Sequence, residues 1–396
     1  MAQAGNRGKR KGLGLSWYNP RVRSLVYQAV VLFTVIGLVW FFVSTAQENL
    51  QRLNISSGFG FLDNTAGFGI IQSLIPYSEE ASYGRAFLVG LLNTLLVAVI
   101  GIVLSTLLGF VVGVARLSPN WLLSKLAGTY IEVMRNIPLL LHLFFWYFVV
   151  LRPLPGPMES LELLPGVLLN NRGLILPEFI LHGGAALFFF ALAAALAGSF
   201  FIFRWAKRRQ IETGQLFPAG RASLAFILLL PGLIGLIFGA PFHLEFAERG
   251  TYDYVGGLRL IPEFVALTLG LTLYTAAFIA EIVRAGILSV SRGQREAAAA
   301  LGLKDSTTLR LVIIPQAMRL IVPPLTSQVL NLTKNSSLAV AIGYPDLVSV
   351  FAGTVLNQTG QAIEVIAITM AVYLTLSLIT SLLMNWYNAR IALRGR

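Results

Sequence analysis

The chain has no cysteine. That absence excludes disulfides, thiolate metal sites and a cysteine nucleophile. Histidine is nearly as scarce: His142, His182 and His243 are the three, they sit in separate segments, and no His-Glu-x-x-His pair occurs, so a catalytic zinc is not expected. There is no Gly-x-x-x-x-Gly-Lys-[Ser/Thr] loop either. The one Gly-Lys pair, Gly8-Lys9, runs into Arg10, so the chain lacks the P-loop that would cradle ATP. Charge is also in short supply, at 12% of 396 residues, against about 25% in an ordinary soluble domain. No paired acid and base stands out among so few carboxylates, which counts against a membrane enzyme.

What the chain has is hydrocarbon. Hydrophobic residues make up 56% of it and the mean hydropathy is +0.73, so it reads as an integral membrane protein. Eight apolar runs reach the ~20 residues a helix needs to cross a bilayer. They cover 25–45, 86–114, 121–150, 184–203, 222–240, 262–287, 319–343 and 362–384. Pro323-Pro324 and Lys334-Asn335-Ser336-Ser337 interrupt the seventh, which predicts non-helical backbone there. The first run is too long, and too poor in a following cleavage site, for a signal peptide.

The formal charge of +12 is scattered at the ends of these runs and not gathered on one domain, so topology explains it better than nucleic acid does. Placing the N-terminal Arg7, Lys9, Arg10, Lys11, Arg21 and Arg23 in the cytoplasm puts most of the 30 lysines and arginines on that side. Arg52, Arg85, Arg152, Arg172, Arg249 and Arg259 fall outside, and Lys334 stays within the membrane. Eight spans then leave both termini inside. The expected organisation is a basic terminus (1–24), an extra span (25–45), a first core part (86–150), an inserted region with two spans (151–261) and a second core part (262–396) containing a polar loop, 285–318. The external stretches 46–85, 151–183 and 241–261 are too short to form a substrate-binding domain.

The polar loop carries the sharpest signal. Gln294-Arg295-Glu296-Ala297-Ala298-Ala299-Ala300-Leu301-Gly302 reads as a short helix, with Ser291 as N-cap and Gly302 as stop, whose small residues allow another surface to come close. Glu296-Ala297-Ala298, Gly302, Val312 and Ile314-Pro315 stand at the spacing of the EAA signature and resemble the ABC importer permeases. Leu273 to Ile287 running into Gly293-Gln294-Arg295-Glu296, and Arg135-Asn136-Ile137-Pro138-Leu139-Leu140, look like the polar amino acid uptake group. Lys334 to Leu347 resembles the longer subunits of general L-amino acid and glutamate/glutamine/aspartate/asparagine transporters. The resemblance implies an all-α membrane protein with a type I importer core of five helices. It also implies a cytoplasmic helix that docks on a separate ATPase through Arg295, Glu296, Ala297, Ala298, Gly302, Leu303 and Asp305. ATP and magnesium would sit on that ATPase, in two copies, with no cofactor in this chain. A second, non-identical permease and a periplasmic amino acid-binding protein would complete an inner-membrane assembly.

Within the membrane, an unpaired charge costs at least about 2.5 kcal/mol, so Lys334 is the leading pathway candidate, with Gln328, Asn331 and Asn335 as its expected surroundings. The bland reading is a lysine that snorkels or neutralises a neighbouring carboxylate. Gly101, Ser105, Gly109 and Gly113 on the second span, and Thr268, Thr272, Ala276 and Ala280 on the sixth, recur every four residues and predict close helix packing. Thr272 and His142 are secondary pathway candidates, each with a packing role as the simpler alternative. Glu281/Arg284 and Glu132/Arg135, three apart, are expected to pair locally. An ion-coupled secondary transporter working through Glu281 or Lys334 is the competing function, although it would need no docking loop.

Overall fold

The computed structural model of the chain describes residues 20–52, 58–239 and 241–391. The expectations for Arg7, Lys9, Arg10 and Lys11 lie outside them. Helix α1 (Pro20–Arg52) is apolar along its middle and buries none of its membrane-length window against the rest of the described residues: Phe33 is 71% and Trp40 75% exposed. Such a surface suits lipid on every side. Helix α2 (Tyr83–Ala115) starts at Ser82, whose hydroxyl accepts the Arg85 amide at 3.3 Å, and α3 (Trp121–Asn136) starts at Asn120, which accepts the Leu123 amide at 3.1 Å. Both are side-chain N-caps.

The third expected span is not one rod. Pro138 bars its predecessor from helical geometry, and Ile137 lies at φ −98°, ψ 130°. The chain turns through 106° into α4 (Leu139–Phe144), which runs on to Leu151 in wide π-type turns. His142 bridges the corner, with its Nε2 3.2 Å from the Met134 carbonyl.

The inserted region carries β-structure that the purely helical expectation omitted. Strands β1 (Leu161–Leu164), β2 (Val167–Asn170) and β3 (Gly173–Leu176) form an antiparallel sheet in the order β1-β2-β3-β8. A two-stranded ribbon pairs β4 (Glu178–Leu181) with β5 (Phe242–Glu245), and a smaller one pairs β6 (Glu248–Arg249) with β7 (Tyr254–Val255). Strand β8 (Leu258–Leu260) closes the sheet. Between the ribbon strands rise α5 (Ala185–Thr213) and α6 (Ala219–Phe238). These pack on each other through small residues: a Cβ on Gly198 would run into the Phe226 ring.

Helix α7 (Pro262–Leu288) is the most buried membrane-length helix. Its seam with α2 follows the small-residue pattern: a Cβ on Gly109 would sit 2.6 Å from Ile279 Cβ, and one on Gly113 2.7 Å from the Ala280 carbonyl. Past α7 come α8 (Arg292–Ala300), α9 (Asp305–Thr308) and α10 (Ile314–Asn335). Contrary to the expected interruption, α10 continues through Pro323-Pro324. Both rings face outward, and Thr326 Oγ1 donates back to the Val322 carbonyl at 3.1 Å. The prolines free the carbonyls of Arg319 and Leu320, a loss that membrane helices tolerate when neighbouring groups re-satisfy them. The helix tightens to 3-10 form at Ser336–Ile342.

An elbow, 343–347, follows, with Tyr344, Asp346 and Leu347 buried. Gly343 takes φ +77°, Asn93 Nδ2 donates to the Pro345 carbonyl at 2.9 Å, and the Leu347 amide donates to Thr94 Oγ1 at 3.0 Å. Wide turns (348–355), α11 (Leu356–Thr359) and α12 (Ala362–Ile391) complete the described residues. Seven of the described helices are long and apolar enough to cross a membrane, or eight if the bent α3–α4 pair is one span, in agreement with the eight apolar runs.

Candidate functional site: the docking helix and the Lys334 cleft

Helix α8 is a separate short rod held beyond the end of α7. Ser291 occupies the N-cap position, but its side chain makes no capping hydrogen bond; the expected cap is positional only. The other end is fully specified. The Gly302 amide donates to the Ala299 carbonyl at 2.9 Å and the Leu303 amide to the Ala298 carbonyl at 3.1 Å, with Gly302 at φ +72°. This paired arrangement is a Schellman stop, which needs a left-handed residue and so favours glycine. Gln316 Nε2 ties the rod to α10 by donating to Gln294 Oε1 (3.2 Å) and to the Val312 carbonyl (3.0 Å).

Of the seven docking candidates, six are exposed: Arg295, Glu296, Ala297, Gly302, Leu303 and Asp305. Ala298 is not, being 3% exposed, and its small size suits the seating of the helix. Arg295 lines a hollow of about 530 Å³ between α8 and the ends of α2, α3 and α7. Leu301, which sequence reasoning passed over, projects at the tip with 80% of its surface free.

A second feature lies where α10 meets α12. Lys334 and Ser337 face Thr369, Tyr373 and Ser377 across a cleft of about 410 Å³. The three α12 residues recur every four positions and therefore share a face. No carboxylate pairs with the Lys334 ammonium; among the described residues the ion pairs are Arg172–Asp253, Arg259–Asp253 and Arg284–Glu281. Behind the cleft, the Tyr373 hydroxyl stands 3.4 Å from Oδ2 of the buried Asp346, whose Oδ1 accepts the Ser349 amide at 2.8 Å. Asp346 and Tyr373 escaped sequence reasoning because they are 27 residues apart and no local pattern joins them.

The other pathway candidates are elsewhere. Gln328 is half-buried and Asn331 exposed, and neither lines the cleft. Thr272 is buried on α7, with an Oγ1 that has no hydrogen-bond partner. His142 is 5% exposed and committed to the α3–α4 corner, the bundle role. Glu281 and Arg284 pair as expected at 2.6 Å. Glu132 and Arg135 do not: the Arg135 guanidinium lies 5.1 Å from the Phe278 ring centre instead, a cation–π placement.

Residues 101–393 match the family model described as the binding-protein-dependent transport system inner membrane component. The chain belongs to that family. Similar full-length relatives extend the match. YhdX of Escherichia coli K12 is 55% identical over 383 residues, covering 96% of this chain and 97% of YhdX. The general L-amino acid transport system permease protein AapQ of Rhizobium johnstonii is 52% identical over 379 residues, with 96% and 94% covered. The glutamate/glutamine/aspartate/asparagine transport system permease protein BztB of Rhodobacter capsulatus is 42% identical over 416 residues, with 97% of each covered. Because AapQ and BztB are covered almost end to end, the inserted region belongs to the shared length. For this family member the exposed α8 and the apolar multi-span body are parts of one membrane transport component.

Proposed function

We propose that this chain is a permease subunit of an ATP-driven importer of polar L-amino acids in a bacterial inner membrane, with both termini in the cytoplasm. It would form the pathway with a second, non-identical permease and couple to two copies of a separate ATPase through α8. A periplasmic binding protein would deliver the substrate, and ATP and magnesium would be held by the ATPase. The chain itself would carry out no chemistry.

The observation that carries this reading is α8: a rigid, Schellman-stopped helix, exposed on one face and tied to α10 on the other, at the end of the most buried membrane helix. A helix built this way transmits a push along its neighbours. The Lys334 cleft supports the choice of substrate, since an ammonium in an apolar setting with hydroxyls opposite suits a carboxylate. Reconstitution with the ATPase, sister permease and binding protein tests the proposal. Uptake of labelled glutamate, glutamine or other polar amino acids should require ATP, and mass measurement should find one copy of this chain beside one sister. Uptake driven by an ion gradient without ATP would favour a secondary transporter and overturn the proposal.

A further inference from the structure

Two of the three histidines, 61 residues apart in sequence, meet in the fold. His243 Nδ1 lies 2.9 Å from His182 Nε2, and the rings stack with centres 4.7 Å apart at 21°. Both side chains are exposed, so neither needs the other to satisfy a buried polar group. The backbone brings them together: β4 and β5 are registered through Ile180↔His243 and Leu181↔Phe242, and the His182 amide donates to the Pro241 carbonyl at 3.1 Å. His182 lies three residues before the start of α5, whose Ala185 amide donates to the His182 carbonyl at 2.9 Å, and His243 follows α6 in β5. The pair therefore sits at the point where the ends of the α5–α6 hairpin enter the ribbon. Chain order places it at the end of α7 opposite α8.

We propose that His182 and His243 form a two-imidazole site for a borderline divalent transition metal of the zinc or nickel class, which clamps the ends of the α5–α6 hairpin. Imidazole nitrogen is a preferred donor for these ions. Two nitrogens bound to one tetrahedral zinc at about 2.0–2.1 Å stand about 3.3 Å apart, a few tenths more than the present separation. A small tilt of each ring, within the freedom of exposed side chains, aims both lone pairs at one point. Each ring binds the metal as neutral imidazole through its lone pair, and the ring that now carries a proton between the two nitrogens keeps it by shifting it through water to its other nitrogen. Among the described residues no group of three or more ligating side chains converges anywhere, so water completes the coordination and the site is open and exchangeable. The hairpin gives such a clamp something to do: α5 and α6 pack chiefly on each other, and the ribbon is what joins their outer ends to the rest of the chain. The inference stands apart from the amino acid reading.

The test is zinc titration of the purified chain, made without a histidine tag, by calorimetry and by thermal unfolding. Wild type should bind one zinc per chain and unfold at a higher temperature with zinc than without. His182→Ala and His243→Ala should each weaken binding at least roughly tenfold and lose the zinc-dependent shift while unfolding normally without metal. The absence of native cysteine allows a second arm: in the double variant His182→Cys plus His243→Cys, the two thiols should retain zinc when reduced and form a disulfide when oxidised. Equal zinc binding by wild type and the alanine variants would overturn the proposal. So would a wild type that ignores zinc while the cysteine pair cross-links, since the side chains would then be adjacent without forming a site.

Discussion

The amide of Leu303 donates to the carbonyl of Ala298 at 3.1 Å, and Gly302 between them takes φ +72° to allow it. An added Cβ at Gly302 meets nothing within 4 Å, so substitution there is opposed by backbone geometry alone, at about 1–2 kcal/mol. Gly302→Ala should loosen the stop and lower coupling modestly. Gly302→Asp adds a charge at the exposed end, and Glu296→Lys reverses one on the exposed face. Both should weaken ATPase attachment or separate hydrolysis from uptake while leaving membrane insertion intact. Normal uptake and normal stimulation of ATP hydrolysis in both charged variants would remove α8 from the coupling role.

The α2–α7 seam makes a stability prediction. Gly109 and Gly113 leave no room for a Cβ, whereas one on Gly37, in the lipid-facing α1, meets nothing within 4 Å. Gly113→Val should lower the unfolding temperature in detergent by an amount matching overpacking, about 1–3 kcal/mol, and Gly109→Val should do likewise. Gly37→Ala should be neutral or slightly stabilising. Comparable melting of all three would show that α2 and α7 are not held together at these glycines.

Much of this arrangement was legible beforehand, for physical reasons. Membrane-length apolar runs must be satisfied within a single helix, so the spans could be read from composition, and the small-residue faces of α2 and α7 could be read from the four-residue period. The stop at Gly302 was readable because few residues other than glycine take its backbone angles. Other features depend on distance in the sequence. Strands of four residues in the inserted region carry too little periodicity to announce a sheet, although Gly166 and Gly173, both at positive φ, mark its turns. The meetings of His182 with His243 and of Tyr373 with Asp346 exist only once the ribbon and the elbow have formed. Pro323-Pro324 misled in the other direction: a breaker in water is accommodated in α10.

The inserted sheet is latched by Asp253, which Arg172 and Arg259 both reach at 2.7 Å. Burial pushes its carboxyl up, but donations from Arg259, Arg172 and the Tyr254 amide outweigh that and hold it at about 2, below the usual 3.8. A depressed carboxyl stabilises the fold above its unfolded value, and the stabilisation is lost as pH falls through the folded value. The latch should therefore be complete at neutral pH and fail as the pH is lowered from 3.8 toward about 2. Asp253→Asn should remove it at every pH, raising amide exchange in β3 and β8 and sparing α2 and α7. Unchanged exchange in the variant at neutral pH would show that strand pairing alone holds the sheet.

The Lys334 cleft separates two roles for one side chain. A structural lysine in hydrocarbon is expected to have a carboxylate partner, because leaving the charge unpaired costs at least about 2.5 kcal/mol; Lys334 has none among the described residues. The other polar residues lining the cleft are Ser337, Thr369, Tyr373 and Ser377, none of which carries a charge to neutralise a cation. Removing the ammonium should then leave assembly and fold intact, so the effect should appear in uptake. Lys334→Ala should lower uptake with normal complex yield and melting. Lys334→Arg should retain part of it, since the charge survives while the fork-shaped head fits differently. Tyr373→Phe should have a smaller effect, because it removes one hydroxyl and leaves the cation. The comparison across acidic and neutral amino acids is decisive: a lysine that meets the cargo changes the ranking as well as the rate. A folded Lys334→Ala complex with unchanged kinetics for both classes would rule the cleft out of the pathway, and loss of assembly in that variant would return Lys334 to a structural role.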